Sequence, residues 1–428
     1  FFDRANALEL CGHPIDKIEI LILGGTWSHY PQKYKEQFCR DIYYSANIFN
    51  LGKMRERLSL EKEIEINETA DVRIIGLTIE TRPDCINKRE LIELRNYGVT
   101  RVQIGIQHLD DDILTLINRG CSHEDTVKSI ELLKSNCFKI DIHIMPDLPG
   151  TSPEIDKDMF DKFLSHDIVS ISPNPDSGEN LNIKYDIDYP ELQVDQWKIY
   201  PTMVTRWTKI KEWYDAGSYK PYSEEDNGNK LIELLINVKQ KVFPWIRLNR
   251  IIRDIPSTEI YGGTDKVNMR QDIHKIFKSK GYVCNCIRCR EVKTQKYTPE
   301  DIELVVREYH ASNGIEYFIS FESKDRTKLI GFLRLRINYH DDKIFFPELM
   351  NCSLIRELHV YGQLVKHNEK CNGNSQHFGF GKRLLKHSEK ISKKYGIKKI
   401  AVISGVGVKD YYKKQGFKKV KTFMIKDI

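Results

Sequence analysis

Gln376-His377-Phe378-Gly379-Phe380-Gly381-Lys382-Arg383-Leu384-Leu385 is the stretch from which the fold can be read. Two glycines one residue apart precede an amphipathic run. In it Phe380, Leu384, Leu385, Ile391 and Tyr395 recur at helical spacing, with lysines between them. Glycine lets a backbone approach a ligand closely. The unpaired N–H groups at a helix start, together with the helix dipole, favour a phosphate. The stretch therefore reads as a pyrophosphate cradle. A plain glycine turn before a surface helix is the alternative, and the flanking segments decide between them.

Downstream, the pattern predicts a strand over Lys398–Ser404, a short helix near Lys409–Lys414 and a final strand over Lys418–Ile425. Tyr411 and Tyr412 fall on that short helix. Upstream, strands are expected over Glu316–Glu322, Lys328–Arg336 and Ile355–Tyr361. Before them Thr298-Pro299-Glu300-Asp301 reads as a helix start, with a capping Thr, a Pro at the first position and Asp301 closing the box. A domain over 298–428 follows. Its basic character is local: from Lys382 to Ile428 there are 15 Lys and Arg against three acids, while the whole chain carries only +6. Such a region suits a polyanion or a phosphate-rich cofactor, or equally a solvated helix face.

The first half alternates β-branched runs with amphipathic segments. Strands are expected at Lys17–Leu23, Arg73–Ile79, Arg101–Ile106, Lys139–Met145 and Gln196–Tyr200. Helices are expected at about Tyr34–Ile48, Lys88–Tyr97, Glu124–Asn136 and Asp156–Leu164. This alternation implies a parallel sheet with crossover helices, and chemistry at the C-terminal ends of its strands. The residues there are Gly24-Gly25-Thr26-Trp27, Glu80-Thr81-Arg82-Pro83-Asp84, Gln107-His108, Pro146-Asp147 and Pro201-Thr202. Their common placement points to one shared site. Ser172–Pro190, rich in Asn, Asp, Pro and Gly, reads as a mobile insertion.

Between these halves lie clustered cations, Arg247, Arg250, Arg253 and Lys266, and then Cys284-Asn285-Cys286-Ile287-Arg288-Cys289. Three thiols in six residues have metal-ligand spacing; zinc wants four sulfur or nitrogen donors, and His274 is the candidate fourth. A cluster site and three unpaired thiols are the rival readings. The other cysteines are scattered, which suits a reducing, cytoplasmic setting. Hydrophobic residues at 40% and charged residues at 30% fit a globular enzyme rather than a disordered chain. No apolar stretch approaches a membrane span, and the opening Phe1-Phe2-Asp3-Arg4 has no leader pattern.

The order of elements around the glycine turn resembles the GNAT acetyltransferase fold. In that fold the strand carrying Glu357, Leu358, His359 and Val360 would pair with the pantetheine arm of acetyl-CoA. Gln376, His377, Phe378, Gly379, Phe380, Gly381 and Lys382 would hold the pyrophosphate. Ile403-Ser404-Gly405-Val406-Gly407 would splay the next strand, with Tyr411 or Tyr412 as general acid or CoA contact. The first half resembles radical SAM enzymes. There Gly24, Gly25 and Thr26, with Glu80 and Gln107, would contact S-adenosylmethionine. That family's partial barrel has six strands, five of which are read here. The missing one is expected to be the first, followed by the loop whose cysteines hold a 4Fe–4S cluster, upstream of Phe1.

Along nearly its whole length the chain resembles the Elongator catalytic-subunit family. The matching runs are Gly12-His13-Pro14-Ile15-Asp16-Lys17, Gly76-Leu77-Thr78-Ile79-Glu80-Thr81-Arg82-Pro83-Asp84, Met145-Pro146-Asp147-Leu148-Pro149, Lys198-Ile199-Tyr200-Pro201-Thr202, Arg253-Asp254-Ile255-Pro256, Arg356-Glu357-Leu358-His359-Val360-Tyr361-Gly362 and Ala401-Val402-Ile403-Ser404-Gly405-Val406-Gly407. The resemblance implies an α/β chain in three parts. These are an incomplete radical SAM-type β/α partial barrel over 1–245, a basic zinc-binding linker over 246–297 and a GNAT domain over 298–428.

The implied activity is carboxymethyl addition to carbon 5 of the tRNA wobble uridine, using acetyl-CoA and a radical derived from S-adenosylmethionine. Lys17 would contact acetyl-CoA from the radical SAM side, with Lys17, Tyr411 and Tyr412 as catalytic residues. Arg247, Arg250, Arg253 and Lys266 would contact the anticodon stem-loop; such phosphate contacts position rather than specify. Accessory subunits of the Elongator type, or self-association, are the implied protein partners. A protein lysine acetyltransferase using only the second half, and a tRNA-binding scaffold without its cluster, are the alternatives.

Overall fold

The computed structural model describes residues 1–173, 180–253, 255–266, 268–293, 297–362 and 379–428. The first runs of β-branched residues become β1 (Lys17–Ile22), β2 (Arg73–Thr81), β3 (Arg101–Gln107) and β4 (Lys139–Ile144). Helices Gln32–Ile48, Lys88–Asn96, His123–Ser135 and Pro153–Leu164 cross between or follow them. Local chemistry sets their starts. The Asn87 side chain accepts from the Glu90 N–H, Ser122 and Asp125 close a capping box, and Ser152 caps a helix whose first residue is Pro153.

Of the polar segment expected to be a mobile insertion, 174–179 lie outside the described residues, and the parts on either side belong to two paired antiparallel strands. These are β5 (His166–Pro173) and β6 (Asn180–Ile187). Next come β7 (Gln196–Ile199), β8 (Met203–Thr205), β9 (Arg247–Arg250) and β10 (Ile260–Gly263). Six strands, in the order β1-β2-β3-β4-β7-β9, form one sheet. Every pairing in it is parallel. The sheet thus has six strands where five were expected. The additional one, β9, is the run Arg247-Leu248-Asn249-Arg250, within the stretch assigned to the linker. Its arginines concealed the alternation, in which Leu248 is buried between more exposed neighbours. β8 and β10 form a separate two-stranded ribbon.

The second half contains β11 (Ile302–His310), β12 (Gly314–Ser323), β13 (Leu329–Asn338), β14 (Cys352–Val360), β15 (Lys399–Val402), β16 (Lys418–Val420) and β17 (Phe423–Asp427). The helix expected at 298 is absent. The Thr298 hydroxyl does bond Asp301 at 2.6 Å, yet only the turn Pro299–Asp301 forms before β11 begins. Leu304, Val305, Val306 and Tyr309 are buried there, and β11 pairs with β12 from Ile302 to His310. Tertiary pairing of β-branched residues outweighs a local helix signal.

The nine-stranded sheet runs β16-β17-β15-β14-β13-β12-β11-β6-β5. The first half therefore donates two of its strands. β6 pairs in parallel with β11 from Asn180↔Leu304 to Tyr185↔Tyr309. The larger core is common to both halves: Ile74, Ile104 and Trp245 belong to the same cluster as Phe318, Leu329 and Leu354. Trp245 stacks 4.4 Å from Phe243 and 4.1 Å from Tyr309. At Gly405 the two halves approach so closely that a Cβ would lie 1.9 Å from the Ile75 carbonyl oxygen, so only glycine fits. Among the described residues no helix is long and apolar enough to cross a membrane.

Candidate functional site

Buried parallel strands are usually apolar on both faces. Here one face of the sheet is polar. Glu80, Gln103, Asp141, Gln196 and Arg247 stand opposite one another in register across β2, β3, β4, β7 and β9. His143 and Lys198 form the next rung. The contacts are continuous. The Gly24 N–H donates to Glu80 Oε2 at 3.2 Å, while Glu80 Oε1 lies 3.4 Å from His143 Nδ1. His143 Nε2 lies 3.1 Å from Gln103 Oε1, to which Lys198 Nζ donates at 2.6 Å.

The electrostatics follow from this packing. Burial works to raise the Glu80 carboxyl, but His143 and the Gly24 N–H outweigh it and hold the group low. Burial lowers the Lys198 ammonium, against the pull of Asp141 and Glu80. Gln103 is 1% exposed and Asp141 is fully buried, yet Gln103 Nε2 and Asp141 Oδ1 have no partner among the described residues. Buried donors and acceptors left open in this way are available to a ligand.

This polar face opens on a cleft of 320 Å³ shared by both halves. Gln103, Lys198 and Asn249 line it from the first sheet, and Glu357, His359 and Tyr361 from the β14 side. β14 follows β15 only as far as Ile355↔Val402, then continues through Glu357, Leu358, His359 and Val360 paired on β13 alone. Among the described residues its other backbone edge is unpaired, as an extended ligand arm needs. Burial tends to raise the Glu357 carboxyl, but Lys139, Arg334 and Arg101 bring it down to about 2. Arg334 Nε reaches it at 2.9 Å.

Near the end of this edge, Gly379 with φ of +68° caps helix Phe380–Lys394. A Cβ on Gly381 would meet the Tyr411 hydroxyl at 2.5 Å, so this hydroxyl faces the helix start. Tyr412 is 6% exposed and packs 5.7 Å from Phe417. Lys382 is exposed on the first turn. Gln376, His377 and Phe378 lie outside the described residues. Lys17 begins β1, opposite Arg73 and two residues before Glu19, which lines the cleft.

A second cavity, of 200 Å³, lies at Gly24 and Gly25 and is walled by Trp27, Tyr34, Phe38 and Glu80. Thr26 lies in sequence between Gly25 and Trp27 and precedes the turn Trp27–His29. Gln107 ends β3 with φ of +68°, and its buried Oε1 has no partner among the described residues.

The sulfur atoms of Cys284, Cys286 and Cys289 lie within 4.8 Å of one another. His274 is exposed on a neighbouring helix and is not in that group. Lys239, which the sequence did not suggest, points Nζ at Cys284 and Cys289 from 3.5 and 3.6 Å. This thiol group is the only set of three or more metal-ligating side chains among the described residues. The cations are dispersed. Arg247 is held by Glu291 at 2.8 Å and the Tyr361 hydroxyl at 3.1 Å, Lys266 donates to the Asn227 carbonyl, and Arg250 and Arg253 are exposed.

Known proteins resemble the chain along this whole plan. A family profile described as the Radical SAM superfamily matches residues 32–163, and one described as the Radical_SAM C-terminal domain matches 194–279. A protein named tRNA uridine(34) acetyltransferase from Methanocaldococcus infernus is 38% identical over 434 residues, covering 99% of this chain and 74% of that one. Elongator complex protein 3 of Homo sapiens is 35% identical over 428 residues, covering 99% and 72%. A solved structure, described as the archaeal Methanocaldococcus infernus Elp3 with N-terminus deletion (1-46), matches with a TM-score of 0.85 at 37% identity. It covers 100% of this chain and 94% of that one.

Proposed function

The chain belongs to the family of tRNA uridine(34) acetyltransferases and Elongator complex protein 3, and we propose that it modifies the wobble uridine of tRNA at carbon 5. Its first half has the α/β fold of radical SAM enzymes, with a parallel half-barrel sheet. The reaction is a carboxymethyl addition that draws on acetyl-CoA. The observation that carries this reading is the shared cleft, in which the open edge of β14 faces the polar row of the first sheet. A protein built only to acetylate lysines has no use for that second wall.

We assign acetyl-CoA to the second half, as a GNAT-type domain. Glu357, Leu358, His359 and Val360 offer the backbone edge. Gly379, Phe380, Gly381 and Lys382 cradle the pyrophosphate at the helix start, with Gln376, His377 and Phe378 leading into it. Tyr411 faces that cradle, Tyr412 supports it from the core, and Lys17 contacts the cofactor from the first half. Gly24, Gly25, Thr26, Glu80 and Gln107 hold S-adenosylmethionine, and His143 orients Glu80.

When bound, S-adenosylmethionine and a 4Fe–4S cluster supply the one-electron chemistry needed to activate a methyl group. Among the described residues no thiol triad converges on the Gly24 turn, so no ligand set for the cluster is assigned here. This chain's own residues hold the two small molecules, exclude water from the cleft and present the acetyl end to the polar wall. The target base must leave the anticodon stack to enter. Arg247, Arg250, Arg253 and Lys266 are assigned to the RNA backbone, with accessory Elongator-type subunits or a second copy as protein partners. Cys284, Cys286 and Cys289 are assigned to a structural zinc ion, a donor set that zinc fits, with Lys239 nearest its fourth side.

Acetyl-CoA hydrolysis measured with and without tRNA tests the reading. Stimulation by tRNA is expected. Turnover indifferent to tRNA, accompanied by acetylation of peptide lysines, would contradict it.

A further inference from the structure

Trp207 follows β8 with its residue surface 97% exposed and φ of +63°. A bulky side chain in the left-handed region is strained, and an exposed ring gains nothing from burial. Packing therefore does not account for this residue. Arg206, the residue before it, belongs to an aromatic and cationic group on the adjoining ribbon. Arg206 donates Nε to the Tyr261 hydroxyl, with its guanidinium 5.5 Å from the Tyr261 ring centroid. The Lys211 ammonium lies 4.6 Å from the same centroid, and Tyr261 is itself 40% exposed.

The ribbon that carries these rings is fixed at the C-terminal side of the parallel sheet. The Thr202 N–H donates to the Pro146 carbonyl at 2.9 Å, in the loop that follows β4. The β10 strand of the ribbon lies in sequence between Arg253 and Lys266, two of the cations assigned above to RNA. An anticodon loop offers unstacked bases in addition to its target base, and such bases stack on exposed aromatic and guanidinium planes.

We propose that Trp207, with Arg206 and Tyr261, is a stacking platform for an unpaired RNA nucleotide other than the target uridine. The inference rests on the tRNA reading above. The contact is one of stacking rather than charge, because the local cations are already matched by acids. Arg206 lies 3.9 Å from Glu259, and Lys211 lies 2.6 Å from Asp215. Its contribution is therefore tolerant of base identity and nearly independent of salt.

Binding of a fluorescently labelled anticodon stem-loop to the full chain tests this, measured at several salt concentrations. W207A is expected to weaken binding on the order of tenfold with an unchanged salt slope, and W207F to retain most of the affinity. K266A is expected to flatten the slope by about one unit. Intrinsic tryptophan emission should be quenched by the stem-loop, and that quenching should be lost in W207F. Stem-loop affinity of W207A equal to wild type overturns the inference while leaving the tRNA reading intact. So does a change confined to self-association in light scattering, which would give the ring to a protein contact. Wild-type protein that binds no stem-loop overturns both.

Discussion

Arg356 on β14 donates Nη1 and Nη2 to the Asp195 carboxylate at 2.7 and 2.6 Å, across the junction of the two sheets. Both side chains are fully buried. Asp195 also accepts from the Ile140 N–H at 2.9 Å, and Arg356 reaches Glu316 Oε2 at 2.9 Å and the Phe138 carbonyl at 2.9 Å. Burial works to raise the Asp195 carboxyl, but Arg356, Arg334 and Lys134 together drive it far below the usual carboxylate range. Removing one partner of a buried pair leaves an uncompensated charge, at about 3–5 kcal/mol. D195N is expected to lose about that much stability in urea unfolding. D195N with R356L should recover part of it, because the stranded charge is gone.

Glu357 makes a pH-dependent contribution at the cleft. Its pKa is brought from 4.5 down to about 2 in the folded protein. The folded value lies below the unfolded one, so the stabilisation is complete above pH 4.5 and is lost as pH falls toward 2. E357Q should therefore be less stable than wild type by about 3 kcal/mol at neutral pH. Chemical denaturation between pH 7 and pH 3 should show that difference shrinking in acid. A difference that stays constant across this range would remove Glu357 from the account.

Cys286 is fully buried within the thiol group. Metal analysis of the purified protein should return about one zinc per chain. C286S should return almost none and unfold roughly 10 °C lower. Iron in place of zinc, at the same stoichiometry, would assign the triad to a cluster.

The donated hairpin predicts the fate of a truncated protein. Residues 298–428 alone lack β5 and β6, leaving the β11 edge unpaired, and lack Trp245, which covers Tyr309. An exposed edge with buried-type faces invites self-association. This piece should elute as large species on gel filtration, or be insoluble. A well-behaved monomer that acetylates peptide lysines would favour the simpler acetyltransferase.

Much of this plan was legible in the sequence because local chemistry sets it. The alternation of apolar runs with capped helices located five of the six parallel strands and their crossovers. The glycine turns at Gly24 and Gly379 do take left-handed backbone angles, with φ of +106° and +68°. The polar wall is also written in the chain. Arg101-x-Gln103, Lys139-x-Asp141-x-His143, Gln196-x-Lys198 and Arg247-x-Asn249 repeat every second residue. That period in a parallel sheet marks one wet face. Other features depend on distance along the chain. Lys239 meets Cys284 from 45 residues away, and Arg356 meets Asp195 from 161. The helix-like start at Thr298 gives way to β11 because pairing with β12 and β6 outweighs a single capping box.

The central claim is that the two halves form one site, and Lys198 tests it most directly. It stands on the first sheet, bonded to Gln103, across the cleft from the open edge of β14. The measurement is acetyl-CoA hydrolysis with and without tRNA in K198M, beside acetyl-CoA affinity by calorimetry. The account predicts unchanged affinity for acetyl-CoA and loss of most of the tRNA-stimulated rate, on the order of a hundredfold. A K198M enzyme with the full stimulated rate would contradict it, because the first half would then have no part in the chemistry.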